Sequence, residues 1–437
     1  MHELLDRCVS QLRLARLIEA LSRFGAREDG GVDRQAMGEA DIAAREFLVD
    51  RAAALGCTAM LDESGNLFLR RAGVAASAAA APARPAPSSS IDAVAPPLTG
   101  LAPAVATGSH VDSQPAGGRL DGAWGICAGL EAIAALNEAG IVTRDPIEVI
   151  VWANEEGCRF APGSLGAQAF VEPARLPALL DARDRDGVRY GDCVAALHRR
   201  MPLPPRAPGS GLKLFIEAHI EQGPVLEQRE VPIGIVSGVQ GVRWLRIAAQ
   251  GQAAHAGTTP LAFRRDAMRA CVELMQRLYG HAEQVPQLRL TVGSIDVAPG
   301  SINTVPGDAA FTLDLRHADA AQLDACERLV GEYCSSSRHG CRMTVERLMA
   351  LPTTRFDAGL QQSLRASASE LGLPTLDMLS GAFHDALHVA RLCPTAMLFV
   401  PSRDGLSHNP AEHTDIELLH AGTRVLAQTL LRLAGTA

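Results

Sequence analysis

The chain has 437 residues, 47% of them hydrophobic, and a formal net charge of −8 at pH 7. That length exceeds one ordinary core of ~100–200 residues, so two domains are expected, and the acidic balance argues against a nucleic-acid partner. No apolar run approaches the ~18 residues of a membrane-spanning helix, and residues 1–27 are charged and amphipathic, unlike a secretory leader, so a cytoplasmic protein with no membrane partner is expected.

Apolar spacing predicts helices over 12–24 and 39–55 and a short strand over 67–70. Residues 72–100 are rich in Ala, Pro and Ser. They cannot bury a core and read as a flexible surface insertion with no catalytic role. A strand follows over 104–108, then a helix over 124–139 ended by Gly140. Further strands are expected over 147–153, which is β-branched, and 213–218. This alternation implies an α/β layer with a mostly parallel sheet. From about Val239 the pattern changes to strands over 244–249, 288–297, 309–316 and 341–348. Helices over 265–279 and 320–334 separate them, the second with Asp319 as its N-cap. That order, β-α-β-β-α-β, predicts a small ferredoxin-like unit. A helix over 361–371, a strand over 395–401 and a helix over 415–433 complete the chain. The expected fold is α/β: a mixed-sheet catalytic domain of residues 1–238 and 352–437, interrupted by an inserted α+β domain of residues 239–351.

The ten cysteines include no C-x-x-C pair, which removes zinc-ribbon and thioredoxin readings. Lys213 is the only lysine, so there is no G-K-[ST] phosphate loop, and a Schiff base would have to use Lys213. The chemistry gathers instead in five polar clusters at or just after apolar strands, where open α/β sheets hold ligands. They are His110-Val111-Asp112, Gly117-Gly118-Arg119-Leu120-Asp121-Gly122, Asn154-Glu155-Glu156-Gly157, His219-Ile220-Glu221-Gln222-Gly223 and Ser407-His408-Asn409-Pro410. Singly, each has a plain structural explanation: a hydrogen-bonded strand-end histidine, a solvated acidic face, a tight glycine turn. A continuous apolar strand, however, delivers Glu155 and Glu156 to a glycine-flanked turn, and two like charges held there need a cation or a raised pKa. Together the clusters form an imidazole and carboxylate set suited to Zn²⁺, with Mn²⁺, Co²⁺ or Ni²⁺ as alternatives. Two such ions can share one carboxylate and one water at ~3.5–4 Å separation. His110 and His219 can serve one ion, Glu156 and His408 the other, with Asp121 between them. Glu155 is then left to take a proton from the shared water. Asp112 is placed to orient His110 through its second ring nitrogen.

These motifs resemble the hydantoinase/carbamoylase branch of the M20 metallopeptidase-like amidohydrolases. That branch includes N-carbamoyl-L-amino acid hydrolases, β-ureidopropionases and allantoate amidohydrolases. The matching stretches are 107–115 with 117–122, 154–160, 219–227, 238–241, 255–260 and 404–412, in family order and nearly end to end. The resemblance implies the same ligands, His110, Asp121, Glu156, His219 and His408, and Glu155 as base. It implies that the inserted domain is a lid and dimerisation domain in a homodimer. It implies that His255 polarises the scissile carbonyl, often from the neighbouring subunit, and that Gln240, Asn303 and Arg316 hold the substrate's amide and carboxylate. An arginine ending an apolar strand, as Arg316 does, can grip a carboxylate with both arms. The family text Gly-Ala-Gly-His-Asp-Ala is here Gly381-Ala382-Phe383-His384-Asp385-Ala386. Ala382 and Phe383 are expected at the carboxylate-side pocket, which the Phe383 ring would narrow. His384 is expected near the site without ligating a metal. The implied reaction is metal-dependent hydrolysis of a terminal ureido group on an amino acid. Alternatives are allantoate or another ureido acid as substrate, and a non-catalytic binding protein of the same fold.

Overall fold

The computed structural model describes residues 1–74 and 101–437. The insertion expected at 72–100 falls almost wholly outside the described residues. The chain forms two compact units. Met1–Ser237, Phe356–Met378 and His384–Ala437 make the first; Gly238–Arg355 and Leu379–Phe383 make the second. The short return Leu379–Phe383 therefore groups Ala382 and Phe383 with the inserted segment.

The first unit is built on a mixed sheet. Its four central strands are parallel, in the order Ile147–Trp152, Ala104–His110, Leu212–Ile220 and Thr395–Val400. Antiparallel strands flank them: Leu67–Arg71 and then Thr58–Leu61 on one side, Ile233–Val239 on the other. The parallel pattern expected from strand–helix alternation thus holds only at the centre. Strands covered on both faces are near-continuous apolar runs, and a charge among them must be paired, as Glu148 is with Arg70 and Arg206. Ile147–Trp152 and Thr395–Val400 are accordingly buried along their whole length. Helix Ala123–Glu138, rich in Ala and Gly, is buried nearly all round and packs against helix Ile416–Ala434.

Parallel strands point their carboxyl ends to one edge. From the central strand Ala104–His110 the chain supplies Ile147–Trp152 on one side and Leu212–Ile220 on the other. Such a reversal of direction opens a crevice at the carboxyl edge. His110 ends its strand, His219 lies at the end of Leu212–Ile220, and Glu155 and Glu156 follow Trp152.

The second unit has a four-stranded antiparallel sheet in the order Arg342–Leu351, Gly241–Gln250, Asp308–His317 and Arg289–Ala298. Leu245, Ile247 and Ala249 alternate inward and join Leu274, Leu278, Phe311, Leu313 and Val330 in a core of their own. Helices Ala267–Ala282 and Ala320–Cys334 supply the other wall. Asp319 caps the second helix by accepting from the Ala321 N–H at 2.9 Å, and Asp266 caps the first. Among the described residues, no helix is long and apolar enough to cross a membrane.

Candidate metal centre

The first unit brings all the expected ligands together. His110, Asp121 and His219 offer donor atoms within 4.8 Å of one another, and so do Asp121, Glu156 and His408. Asp121 belongs to both groups and divides its oxygens between them. Its Oδ1 lies 3.1 Å from His219 Nε2 and 3.7 Å from His110 Nε2. Its Oδ2 lies 3.3 Å from His408 Nε2, which is also 3.3 Å from Glu156 Oε2. Glu155 stands beside them, with Oε2 3.6 Å from His110 Nε2. A third group, Glu217, His219 and His384, shares only His219 with these.

Four of the five expected ligands are held from behind. The Nδ1 atoms of His110 and His219 lie against the main-chain carbonyls of Asp112 at 2.8 Å and Ile220 at 2.9 Å, leaving both Nε2 atoms turned inward. His110 is thus oriented by the carbonyl of Asp112. The Asp112 carboxylate instead accepts the Glu155 and Glu156 N–H groups at 3.3 and 3.2 Å and so fixes the Glu-Glu turn. Gln114 donates from its main chain and its amide to the two Glu156 oxygens, at 3.2 and 2.8 Å. Gln222 donates its amide to Asp121 Oδ2 at 3.1 Å. Gly122 has φ +64°, and a Cβ there would lie 2.5 Å from the His110 ring, so only glycine fits. Asn154, Gln222 and His408 have φ of 55°, 57° and 54°. Left-handed non-glycine residues store roughly 1–3 kcal/mol each and gather at functional loops.

The charges are strongly coupled. Burial pushes the Glu155 carboxyl well above its usual range, and the charges of Asp385, Glu156, Asp112 and Asp121 push it further. Burial also lifts Asp112, to about 6. Hydrogen bonds to Asp121 and Glu156 raise His408 to about 10. Burial works against a charged His219, but Asp121 outweighs it and raises this ring to about 9. Burial, and then the charge of His219, depress His384 well below the usual range. The His384 ring centroid is 4.6 Å from that of His219, so this residue packs on an expected ligand.

The remaining expected residues lie in the second unit. Strand Ala254–His255 pairs with Thr304–Val305, and the Ala256 N–H donates to the Asn303 carbonyl, which brings His255 beside Asn303. His255 is exposed, and its Nδ1 accepts the Gly257 and Thr258 N–H groups at 3.0 and 3.2 Å. Arg316 pairs with Asp314 at 2.9 Å and donates from Nη1 to the Gly381 carbonyl at 2.8 Å. Ala382 is tied to Ser380, which donates to its carbonyl and accepts from its N–H. Gln240 is buried, with its N–H bonded to the Ser380 carbonyl.

A model of peptidase family M20/M25/M40 matches residues 106–432. An N-carbamoyl-L-amino acid amidohydrolase of Geobacillus stearothermophilus is 33% identical over 97% of this chain and 98% of its own length. The chain belongs to this family. Within it, the chain falls in the hydantoinase/carbamoylase branch. A crystal structure of a hydantoinase/carbamoylase family amidase from Burkholderia ambifaria superposes with a TM-score of 0.85 at 38% identity, covering 98% of each chain. An allantoate amidohydrolase of Bacillus subtilis is 30% identical over 95% of this chain and 96% of its own length. The M20 chain is therefore a hydrolase acting on C–N bonds.

M20 peptidases generally use divalent metals. The donor set here fits such ions. His219 Nε2 lies 3.1 Å both from a carboxylate oxygen of Asp121, an acceptor, and from the Gly122 N–H, a donor. One ring nitrogen cannot satisfy both by hydrogen bonding. With its Nδ1 proton on the Ile220 carbonyl, a neutral ring turns its Nε2 lone pair toward the Asp121 oxygen, and a cation between the two would answer both.

Proposed function

We propose that this M20 chain is a metal-dependent amidohydrolase that cleaves the carbamoyl C–N bond of an N-carbamoyl amino acid, giving the amino acid, carbon dioxide and ammonia. The observation that carries the reading is Asp121 shared between two donor groups, with the unligated Glu155 beside them. His110 and His219 would hold one ion and Glu156 and His408 the other, with Asp121 bridging. Zinc is the first choice; manganese, cobalt and nickel are alternatives. When bound, such ions polarise a carbonyl oxygen and lower the pKa of water.

Glu155 takes a proton from the attacking water and delivers it to the leaving nitrogen. Burial and the neighbouring carboxylates raise its affinity for a proton, which strengthens it as a base. Because His255 Nδ1 accepts two main-chain N–H groups, the neutral ring carries its proton on Nε2. That N–H donates to the carbonyl oxygen as charge builds there, a contribution of about 3–4 kcal/mol for a well-placed donor. Asp314 fixes the plane of the Arg316 guanidinium, which grips the substrate carboxylate. Gln240, Asn303 and Ala382 complete the amide and carboxylate contacts, and the Phe383 ring limits the pocket. Asp112 and His384 hold the Glu155 turn and the His219 ring. The inserted domain, residues 239–351 as read from the sequence, serves as lid and as the surface of a homodimer, which lets His255 act on a neighbouring subunit's centre.

A second reading, allantoate as substrate, is favoured by the allantoate amidohydrolases among the relatives. Ammonia release from N-carbamoyl-L-amino acids, N-carbamoyl-β-alanine and allantoate decides between them. The assay uses protein as isolated, after chelation, and after adding back each metal. Turnover of the first class, lost on chelation and restored by metal, is the expected result. Preference for allantoate would replace it, and turnover indifferent to chelation would overturn the metal-dependent reading.

A further inference from the structure

We propose that Glu412 is a positioning residue that fastens the Asp121 turn to the His408 loop, so that the second donor group is assembled only while this clamp holds. The inference rests on the metal-dependent reading above.

Glu412 is buried, with 4% of its surface exposed. Its Oε1 accepts the Leu120 N–H at 2.9 Å and the Asp121 N–H at 3.1 Å. Its Oε2 accepts the Ser407 hydroxyl at 2.8 Å. Ser407 Oγ also stands 3.2 Å from Asp121 Oδ2 and accepts the Gln222 amide at 3.2 Å. One carboxylate thus joins the backbone of the shared ligand to the residue that precedes His408. The Glu412 N–H closes the intervening turn onto the Asn409 carbonyl at 2.9 Å. Among the described residues, no arginine or lysine pairs with Glu412.

Gly118 gives an independent sign of the same clamp. A Cβ there would lie 2.0 Å from the carboxyl carbon and from Oε1 of Glu412. This close approach accounts for glycine at that position in the Gly117-Gly118 pair. The two donor groups differ in what supports them. His110 and His219 stand on strands, whereas His408 stands on a loop, half-exposed, with its backbone in the left-handed region. Rigidity that the sheet supplies to the first group must come to the second from side chains, and Glu412 is the group placed to supply it. Partners behind metal ligands typically contribute 10- to 100-fold in affinity.

Zinc content by mass spectrometry and calorimetric titration with zinc chloride test the clamp on the full chain. The variants are Glu412→Ala, Glu412→Gln, Gly118→Ala and the double variant Glu412→Ala with Gly118→Ala. The unsubstituted chain is expected to hold two ions. Glu412→Ala should keep one and bind the other about 10- to 100-fold more weakly. Glu412→Gln, which preserves an acceptor for both N–H groups, should recover most of the loss. Gly118→Ala should mimic Glu412→Ala and add nothing in its background. If Glu412→Ala does not fold, Gly118→Ala and Glu412→Gln still report. Equal weakening of both ions, no weakening, or a further loss in the double variant would overturn the clamp. An unsubstituted chain that binds no zinc would overturn the metal-dependent reading itself.

Discussion

Metal uptake by the metal-free protein should expel protons, and the number follows from the centre's geometry. His408 Nε2 faces two carboxylate oxygens, of Asp121 and Glu156, each at 3.3 Å. That setting raises its pKa to about 10, so at pH 8 the ring carries its second proton almost completely. Coordination needs the neutral ring, so one proton must leave. His219, raised to about 9, contributes up to one more, less whatever the facing Gly122 N–H removes. The sign follows: protons compete with metal, so affinity rises with pH until it passes the folded-state values near 9 and 10. Each proton released makes the apparent affinity rise about tenfold per pH unit. Between pH 6 and 8 the slope should be one to two decades per unit. His408 is half-exposed, so solvent screening moves the pH at which the slope ends and leaves the slope itself intact. Zinc titrations in weakly buffered solution with a pH indicator count the protons directly. His408→Asn should lower the count by about one. A pH-independent affinity, or a release well under one proton, would refute this description of the centre.

Glu155→Gln should keep its metals and lose about 10²- to 10⁴-fold in kcat; a variant retaining most of its turnover would remove Glu155 as the base. Arg316→Ala should raise KM roughly 10- to 150-fold, the loss of one charge-assisted contact worth about 1.5–3 kcal/mol. It should also stop discriminating a free-acid substrate from its amide, and steady-state kinetics on such a pair would expose an Arg316 that does not touch the carboxylate. Phe383→Gly should raise kcat/KM for bulky N-carbamoyl amino acids relative to small ones. An unchanged ratio across a side-chain series would place the ring outside the pocket.

How far the centre could be read from sequence depended on what carries each residue. His110, His219, Glu155 and Glu156 lie at or just after the ends of largely apolar runs, and a parallel sheet buried on both faces must put the ends of such runs at one edge. Both the strand pattern and the ligands were therefore legible together. The flanking strands Thr58–Leu61 and Ile233–Val239 and the helices between 165 and 200 were not, being short or broken by Pro, Gly and charged residues. Gln114, Gln222, Ser407 and Glu412 sat inside recognisable motifs, yet nothing in the spacing gave them a task. Their work is done across folded distance: Glu412 accepts from Leu120 across 292 positions of chain. Asp112 shows the same limit at short range, since its carboxylate serves the Glu155 turn while its carbonyl holds His110. The consequence is an asymmetry in the centre. The strand-borne histidines are fixed by the fold that any α/β sheet of this order must adopt. The loop-borne His408 depends on a carboxylate that only tertiary contact brings to it, so the second half of the centre is where exchange of metal should begin.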